Sequence, residues 1–595
     1  MVDAQQQSLV TRALVTAAEA LDRRVGWFRL PTPLGLAVLV GLRSRLRARN
    51  LFDTGPHPAG PLPPDDTGEH RNARTVEGTY NSPDDPRAGS IGCRFGRNVP
   101  LDRTYPEDPA RIMEPNPRTI SRQLLTRDRF QPATTLNLLA AAWIQFEVHD
   151  WFVHDPAEQD PFVVTLDDDD QWPHPPMTIP RTVTVPAPDA GAAPTYVTGE
   201  THWWDASQIY GKTAEFAASL RSGKHGQLVI DELGLPPLDA ERLVALDPSA
   251  ANAWVGLALL HSLFLREHNA ICARLTRRYP DMNDQQLYDT ARLVNSALIA
   301  KIHTVDWTPA VIAHPTTVAA MRANWFGVLG ERVSRRFGHF IGNEVLCGIP
   351  GSARDDSGVP YSLTEEFVSV YRMHPLIPDA LVVRSLADDT VLAEHPLPEL
   401  GVTHIRDRLA ETAMDTLLYS FGRANPGALT LHNYPVHLQQ LERPGQPLLD
   451  LATVDILRVR ERGVPRYNEF RRHLRLPPVT SFDELTDDPR WARELEQVYG
   501  DVDDVDLMIG LYAEPKPPGF GFSDTAFRVF VLMASRRLSA DRFFTTDFRP
   551  EVYTEAGLAW VRDNTMRSVL LRHFPTLAPA LEGVANPFAP WRSPR

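Results

Sequence analysis

Apolar residues recur every three or four positions in several separated stretches of the chain, and sustained apolar–polar alternation is almost absent. Residues 1–55 hold two helical stretches, one around Leu9–Val25 and a second containing the apolar run Leu34–Leu42. The helical period returns at 134–153, opening at Thr134 and Thr135, then at 212–223, 249–278 and 284–304, and again after Pro309. Further helices are predicted at 363–374, 406–421, 451–460 and 523–539. Between them, 56–120 is rich in Pro, Gly, Asp and Asn and reads as ordered coil with short turns. Residues 154–200 carry the acidic run Asp167–Asp170 and many prolines, and form a long excursion with one short strand at Thr182–Val185. With no internal repeat and no regular exchange of strands with helices, the fold class is mainly α.

Composition narrows the function. The 61 basic and 75 acidic residues give a net charge of -14, and no basic stripe offsets it, which excludes a nucleic-acid surface. Cys93, Cys272 and Cys347 are far apart with no C-x-x-C, so neither a disulfide framework nor a zinc cluster is indicated, and a reducing, cytoplasmic setting is expected. No secretory leader pattern is present, and no apolar run reaches the roughly 18 residues that span a bilayer. The run Leu34–Leu42 is followed by Arg43, Arg45, Arg47 and Arg49, a combination that could rest on an anionic membrane surface or equally dock on the core.

Candidate chemistry gathers in four places. In Tyr361–His374, Ser362 with Glu365 reads as a capping box, Pro375 stops the helix, and Leu363, Phe367, Val370, Tyr371 and His374 share a face. Taken alone, Tyr371 and His374 are either packed and hydrogen-bonded core groups or an iron ligand with a redox tyrosine beside it. In Trp143–Trp151, Gln145 and His149 share a face while Asp150 is turned by about 100°. That pair suits a distal pocket over iron, where an imidazole moves a peroxide proton; an H-D pair also suits a metal phosphohydrolase or plain burial. Thr201, Trp203, Asp205 and Ser207 alternate along a loop, offering hydroxyls, a carboxylate and a carbonyl of the hard type calcium prefers, or simply forming a Ser/Thr turn. His268 and His303 sit in helical stretches as core or rim residues.

Together these pieces resemble a known superfamily. Gln145-x-x-x-His149-Asp150, Thr201–Ser207 with Gln208–Gly211, Leu265–Asn269 and Tyr371-x-x-His374 occur in the order seen in animal haem peroxidases and cyclooxygenases. Lys301–Thr308, Met321–Trp325, Gly358–His374, Arg460–Arg472 and Ala534–Thr546 resemble the plant-type fatty-acid α-dioxygenases, with likeness extending from about residue 20 to 588. The resemblance implies one large haem-binding helical domain over 56–595 behind the 1–55 segment. It implies His374 as the proximal iron ligand, Tyr371 as the radical-forming tyrosine, and His149 with Gln145 on the distal side. Asp150, Thr201, the Trp203 carbonyl, Asp205 and Ser207 match calcium ligands; His303, Thr308 and Arg537 match the residues that hold a substrate carboxylate. Asn433 is assigned as the partner of the proximal imidazole. Haem b and calcium are the implied cofactors, with a long- or medium-chain free fatty acid, O2 and an activating peroxide as partners. The implied reaction removes hydrogen from carbon 2 and yields a 2-hydroperoxy acid. The alternative within the same fold is a peroxide-consuming peroxidase of small reductants, which needs neither Tyr371 nor Arg537.

Overall fold

The computed structural model describes residues 9–57, 71–189, 191–337, 344–443 and 446–593. Part of the coil expected over 56–120, residues 58–70, lies outside them. Helices α1 (Leu9–Val25) and α2 (Thr32–Arg49) form the amino-terminal pair where the periodicity places them. Gly41 lets them close together, since a Cβ there would stand 2.8 Å from that of Ala18. The interior is built on α3 (Leu138–Trp151), α4 (Val255–Arg278) and α5 (Asp284–Ile302), which pack side by side, α4 lying between the other two. A reciprocal cap starts α5: Asn283 Oδ1 accepts from Gln286 N at 2.9 Å, and Gln286 Oε1 accepts from Asn283 N at 3.0 Å. Lys301 near its far end donates to the carbonyls of Val561, Arg562 and Asn564, each at 2.8 Å, closing the end of the helix Pro550–Asp563.

The strands form three antiparallel pairs, with registers Phe162↔Ile179, Leu381↔His395 and Leu441↔Leu449 among their partners. The excursion 154–200 contributes Phe162–Val164 and Met177–Ile179. The strand expected at Thr182–Val185 is absent; single bridges, Pro156 to Thr182 and Val185 to Thr195, stand in its place. The stretch read as one helix over 406–421 is two, Ile405–Glu411 and Met414–Arg423, and 523–539 divides into Asp524–Met533 and Arg536–Ser539. Helix α2 docks on α6 (Pro315–Phe326) and on Asp524–Met533. Its basic flank is largely internal: Arg43 donates to Glu344 at 2.8 Å, Arg45 pairs with Glu19, and Arg47 is buried against Ser535 at 2.9 Å. Among the described residues, no helix is long and apolar enough to cross a membrane.

Candidate active site

The Tyr361–His374 stretch departs from its expected form. The helix is short, Glu365–Val370, and its cap is Thr364, whose Oγ1 accepts from Phe367 N at 3.2 Å. Ser362 does not cap, because the chain before Thr364 is extended and pairs with another segment: the Leu363 carbonyl accepts from Gly96 N at 2.8 Å. Glu365 does not turn back either; its Oε1 lies 3.0 Å from His154 Nε2. Tyr371 ends the helix, and His374 begins a separate 3₁₀ turn, His374–Leu376, before Pro375. Tyr371 and His374 are therefore neighbours across a turn and do not share a helical face.

His374 opens onto a cavity of about 870 Å3, and so do Tyr371, Gln145 and His149. This is within the roughly 300–1,000 Å3 range of small-molecule and cofactor pockets. Its walls carry the imidazoles of His149 on α3 and His374 in the turn after Tyr371, with His154, His404 and His437 from other segments, together with apolar Ile144, Phe152, Met373 and Leu376. That combination fits a flat, largely apolar macrocycle with an iron at its centre. Arg372, Arg458 and Arg462 bring guanidinium groups to the same wall. Burial, reinforced by Arg458 and Arg372, holds Arg462 down at about 10 despite Glu365. Burial likewise lowers the His149 imidazole to about 4, so it is neutral and able to accept a proton at physiological pH. Gln145 is fixed at both ends of its amide: Oε1 accepts from Trp254 Nε1 at 2.8 Å, and Nε2 donates to the Asn252 carbonyl at 3.3 Å.

Asn433 is not the partner of His374. Its Oδ1 accepts from Arg127 Nε and from Gln131 N, both at 3.0 Å, and its Nδ2 donates to the carbonyls of Gln131 (2.9 Å) and Ala428 (2.7 Å). Those four bonds use the amide's full capacity. Asn433 instead steadies the backbone, since Arg127 Nη2 also reaches the carbonyls of Pro375 and Ile377, each at 3.0 Å. The group beside His374 is Asp455, fully buried on the helix Leu451–Glu461, with Oδ2 at 2.7 Å from His374 Nδ1. The contact is at ion-pair distance, with the ring N–H turned off the line to the oxygen. Burial would raise the Asp455 carboxyl, but His374 and Arg372 outweigh it and hold the group below the usual range. Sequence spacing alone could not single out this residue; its one sign was an acidic side chain at an otherwise helical, core-facing position.

On the other side of Tyr371 lies a second, smaller pocket of about 20 Å3, lined by His303, Thr308, Arg537, Trp151 and Trp204 as well as Tyr371. Tyr371 thus stands in the wall between the two spaces. His303 and Thr308 reach this pocket through a π-helical turn, His303–Trp307, at the end of α5: Thr308 N–H bonds back to the His303 carbonyl five residues earlier. In an ordinary α-helix, residues five apart point about 140° apart; the wider turn brings them to one pocket. Trp143 Nε1–H donates to His303 Nδ1 at 3.2 Å, so the imidazole proton sits on Nε2. Burial, with Arg537 adding to it, holds His303 far below its ordinary value and therefore neutral. The Arg537 guanidinium lies between two indoles, 4.0 Å from the Trp151 ring centre and 4.5 Å from that of Trp204. Its Nε and Nη1, and the Thr308 hydroxyl, are buried polar groups with no partner within the protein. Unpaired donors beside a small pocket form a cradle for an anion. A larger apolar pocket of about 100 Å3 continues from it toward α2, and Met321, Asn324, Phe530, Ala534 and Ser535 line both.

The loop residues Thr201, Trp203, Asp205 and Ser207 do fold back onto α3. Asp150 Oδ1 accepts from Ser207 Oγ at 2.7 Å and from Ser207 N at 2.5 Å. Ala206, in the left-handed region at φ 60°, turns the chain between Asp205 and Ser207. Thr201 Oγ1 and Asp205 Oδ2 are buried without hydrogen-bond partners, and burial together with Asp205 drives the Asp150 carboxyl well up. Among the described residues no group of three or more His, Cys, Asp or Glu converges as a metal site. A cation here would rely on hydroxyls and a carbonyl added to two carboxylates, which is a calcium-like donor set.

The chain matches the family model described as animal haem peroxidase over residues 73–583. It is 40% identical to Alpha-dioxygenase 2 of Arabidopsis thaliana, across 96% of this chain and 92% of that protein. The crystal structure of Oryza sativa fatty acid alpha-dioxygenase superposes with a TM-score of 0.91 at 37% identity, covering 99% of this chain and 98% of that one. A crystal structure of a variant of the rice enzyme with palmitic acid superposes with the same TM-score of 0.91, at 37% identity over the same shares of both chains. With the family match spanning most of the sequence and the relatives aligned over nearly their whole lengths, the chain belongs to the animal haem peroxidase family, in its α-dioxygenase branch.

Proposed function

We propose that this protein is a haem-dependent fatty-acid α-dioxygenase that converts a free fatty acid and O2 into the 2-hydroperoxy acid. The observation that carries the reading is the place of Tyr371, lining both the cavity of His149 and His374 and the pocket of His303, Thr308 and Arg537. His374 would hold the haem iron, with Asp455 behind it, while Arg372, Arg458 and Arg462 would face the propionates. Bound haem, activated by a peroxide, supplies the one-electron oxidation that makes the Tyr371 phenoxyl. His149 would take and return the peroxide proton, and Gln145 fixes the cavity wall beside it.

Substrate positioning is the work of the smaller pocket. An unpartnered N–H of Arg537, the Thr308 hydroxyl and the His303 Nε2–H take the carboxylate, and the alkyl chain runs past Met321 and Phe530 into the apolar pocket. Anchoring the carboxylate next to Tyr371 makes carbon 2 the nearest C–H. The phenoxyl takes a hydrogen atom from carbon 2 and becomes the phenol, O2 adds to the carbon radical, and the resulting peroxyl recovers a hydrogen atom from Tyr371. Atoms balance, and the tyrosyl radical is regenerated. An apolar pocket continuing from an anion cradle favours this over oxidation of small reductants, which needs neither.

We further propose calcium on Asp150, Thr201, the Trp203 carbonyl, Asp205 and Ser207, supported by the orphaned oxygens in that loop. Peripheral membrane contact at the apolar pocket is supported by Val40 and Val328, which line it and are exposed. Three unpaired, buried cysteines suit a cytoplasmic location. The test is oxygen uptake with free fatty acids and identification of the oxidised carbon. Tyr371→Phe is expected to keep the Soret band and lose uptake; a variant that still forms the 2-hydroperoxide removes Tyr371 from the mechanism.

A further inference from the structure

Arg537 divides its donors between a loop and the substrate pocket it lines. Its Nη2 donates to the carbonyls of His202 (3.0 Å) and Trp203 (3.3 Å), both inside the Thr201–Ser207 loop. The His202 carbonyl also accepts from Tyr361 Oη at 2.8 Å, and His202 Nδ1 accepts from Leu363 N at 3.0 Å. The loop is thereby tied to the segment that leads into Tyr371. Nε and Nη1, which flank Nη2 and point apart, have no protein partner. Stacking between Trp151 and Trp204 restrains the guanidinium between these two sides.

Electrostatics runs along the same line. Asp150 and Asp205 are two almost fully buried carboxylates close enough to repel each other, and the Arg537 charge acts on Asp150 and on the neighbouring Glu147. The nearest cation to Asp205 Oδ2 is Arg292, at 3.9 Å. A divalent ion in the loop neutralises Asp150 and Asp205, adds its own positive field, and fixes the carbonyls that hold Nη2. With Nη2 held, the unpartnered N–H groups of Arg537 are left oriented for an anion.

We propose that the cation loop and the fatty-acid carboxylate pocket are one coupled unit joined through Arg537, in which a divalent cation in the loop tightens carboxylate binding beside Tyr371. Linkage makes the effect reciprocal, so a bound carboxylate tightens the cation by the same factor. Arg537 is in this respect a positioning residue that carries the state of the loop to the substrate. The inference rests on the reading of Arg537 as carboxylate anchor.

The experiment uses ferric holoenzyme under argon, where no turnover occurs. Affinities for palmitic acid and for methyl palmitate, its uncharged twin, are measured by calorimetry in excess CaCl2 and after EDTA treatment, with Soret band and far-UV dichroism monitored. Palmitic acid is expected to weaken by roughly fivefold or more on cation removal, the low end of measured site couplings, with the ester unchanged. Equal weakening of acid and ester, or no weakening of the acid, overturns the coupling. Acid and ester binding alike in CaCl2 would instead overturn the anchor reading. Where EDTA unfolds the protein, calcium affinity is measured with a competing chelator, with and without palmitic acid; identical affinities overturn the proposal. Arg537→Lys retains a charge but cannot span carbonyls and carboxylate together, and is expected to abolish the acid-specific calcium effect.

Discussion

Replacing Asp455 by Asn removes one negative charge from behind His374 while leaving the side-chain volume nearly unchanged. The carboxylate is fully buried, 2.7 Å from His374 Nδ1, and steadied by Tyr434 Oη at 3.1 Å and Arg372 Nη1 at 3.4 Å. A buried carboxylate behind a ligand imidazole makes that imidazole a stronger donor and favours the more oxidised iron. Once the ring N–H aligns with Oδ2 in the haem-loaded enzyme, the charged acceptor contributes about 1.5–3 kcal/mol against about 0.5–1.5 for a neutral one, so the exchange forfeits up to about 1–1.5 kcal/mol. For a one-electron couple, in which a factor of ten is 59 mV, this raises the ferric/ferrous potential by up to about 40–65 mV. Spectroelectrochemical titration of the Soret band reads the shift directly, and Asn433→Ala serves as the contrast, because Asn433 supports only backbone near His374. An unchanged potential in Asp455→Asn with an intact Soret band, or an equal shift in Asn433→Ala, refutes the assignment.

Three further outcomes are expected. His268 is wholly buried, donates from Nε2 to the Gly226 carbonyl at 2.9 Å, accepts at Nδ1 from Tyr210 Oη at 2.9 Å, and is lowered by burial to about 4. Because the unfolded chain protonates near 6.5, His268 stabilises the fold fully above that pH. The contribution is lost toward pH 4 at about 1.4 kcal/mol per unit, so His268→Gln should flatten the acid limb of thermal unfolding, and an identical limb counts against it. A Cβ at Gly427 would stand 2.0 Å from the Pro375 carbonyl, so Gly427→Ala should displace the His374 turn and weaken haem retention, checked by Soret titration of the apoprotein. Ala534 lies where the carboxylate pocket meets the apolar one; Ala534→Phe should shift oxygen uptake toward shorter acids, and an unaltered chain-length profile would remove that passage from the substrate path.

Local pattern determined much of this protein. The periodicity placed α1, α3, α4 and α5 within a few residues, because long segments with apolar residues at helical spacing fold as that spacing dictates, even where, as in α3, nearly every side is buried. The residue types at His149, His303, Thr308, Tyr371, His374 and Arg537 announced their chemistry through family likeness, and the fold brings them to two adjoining spaces. Tertiary structure decided the rest. The helix before Tyr371 starts late because Thr364 and not Ser362 meets the free N–H groups, the preceding residues being taken up by pairing with Gly96, and His374 falls in a separate turn. A π-turn, invisible to a 3.6-residue period, aims His303 and Thr308 together. Partner choice was equally nonlocal: Asn433 looked available for His374, yet Arg127 and Gln131 saturate it, and Asp455 arrives from another helix. Which donor meets which acceptor depends on packing between segments hundreds of residues apart, and no spacing along one chain encodes that distance.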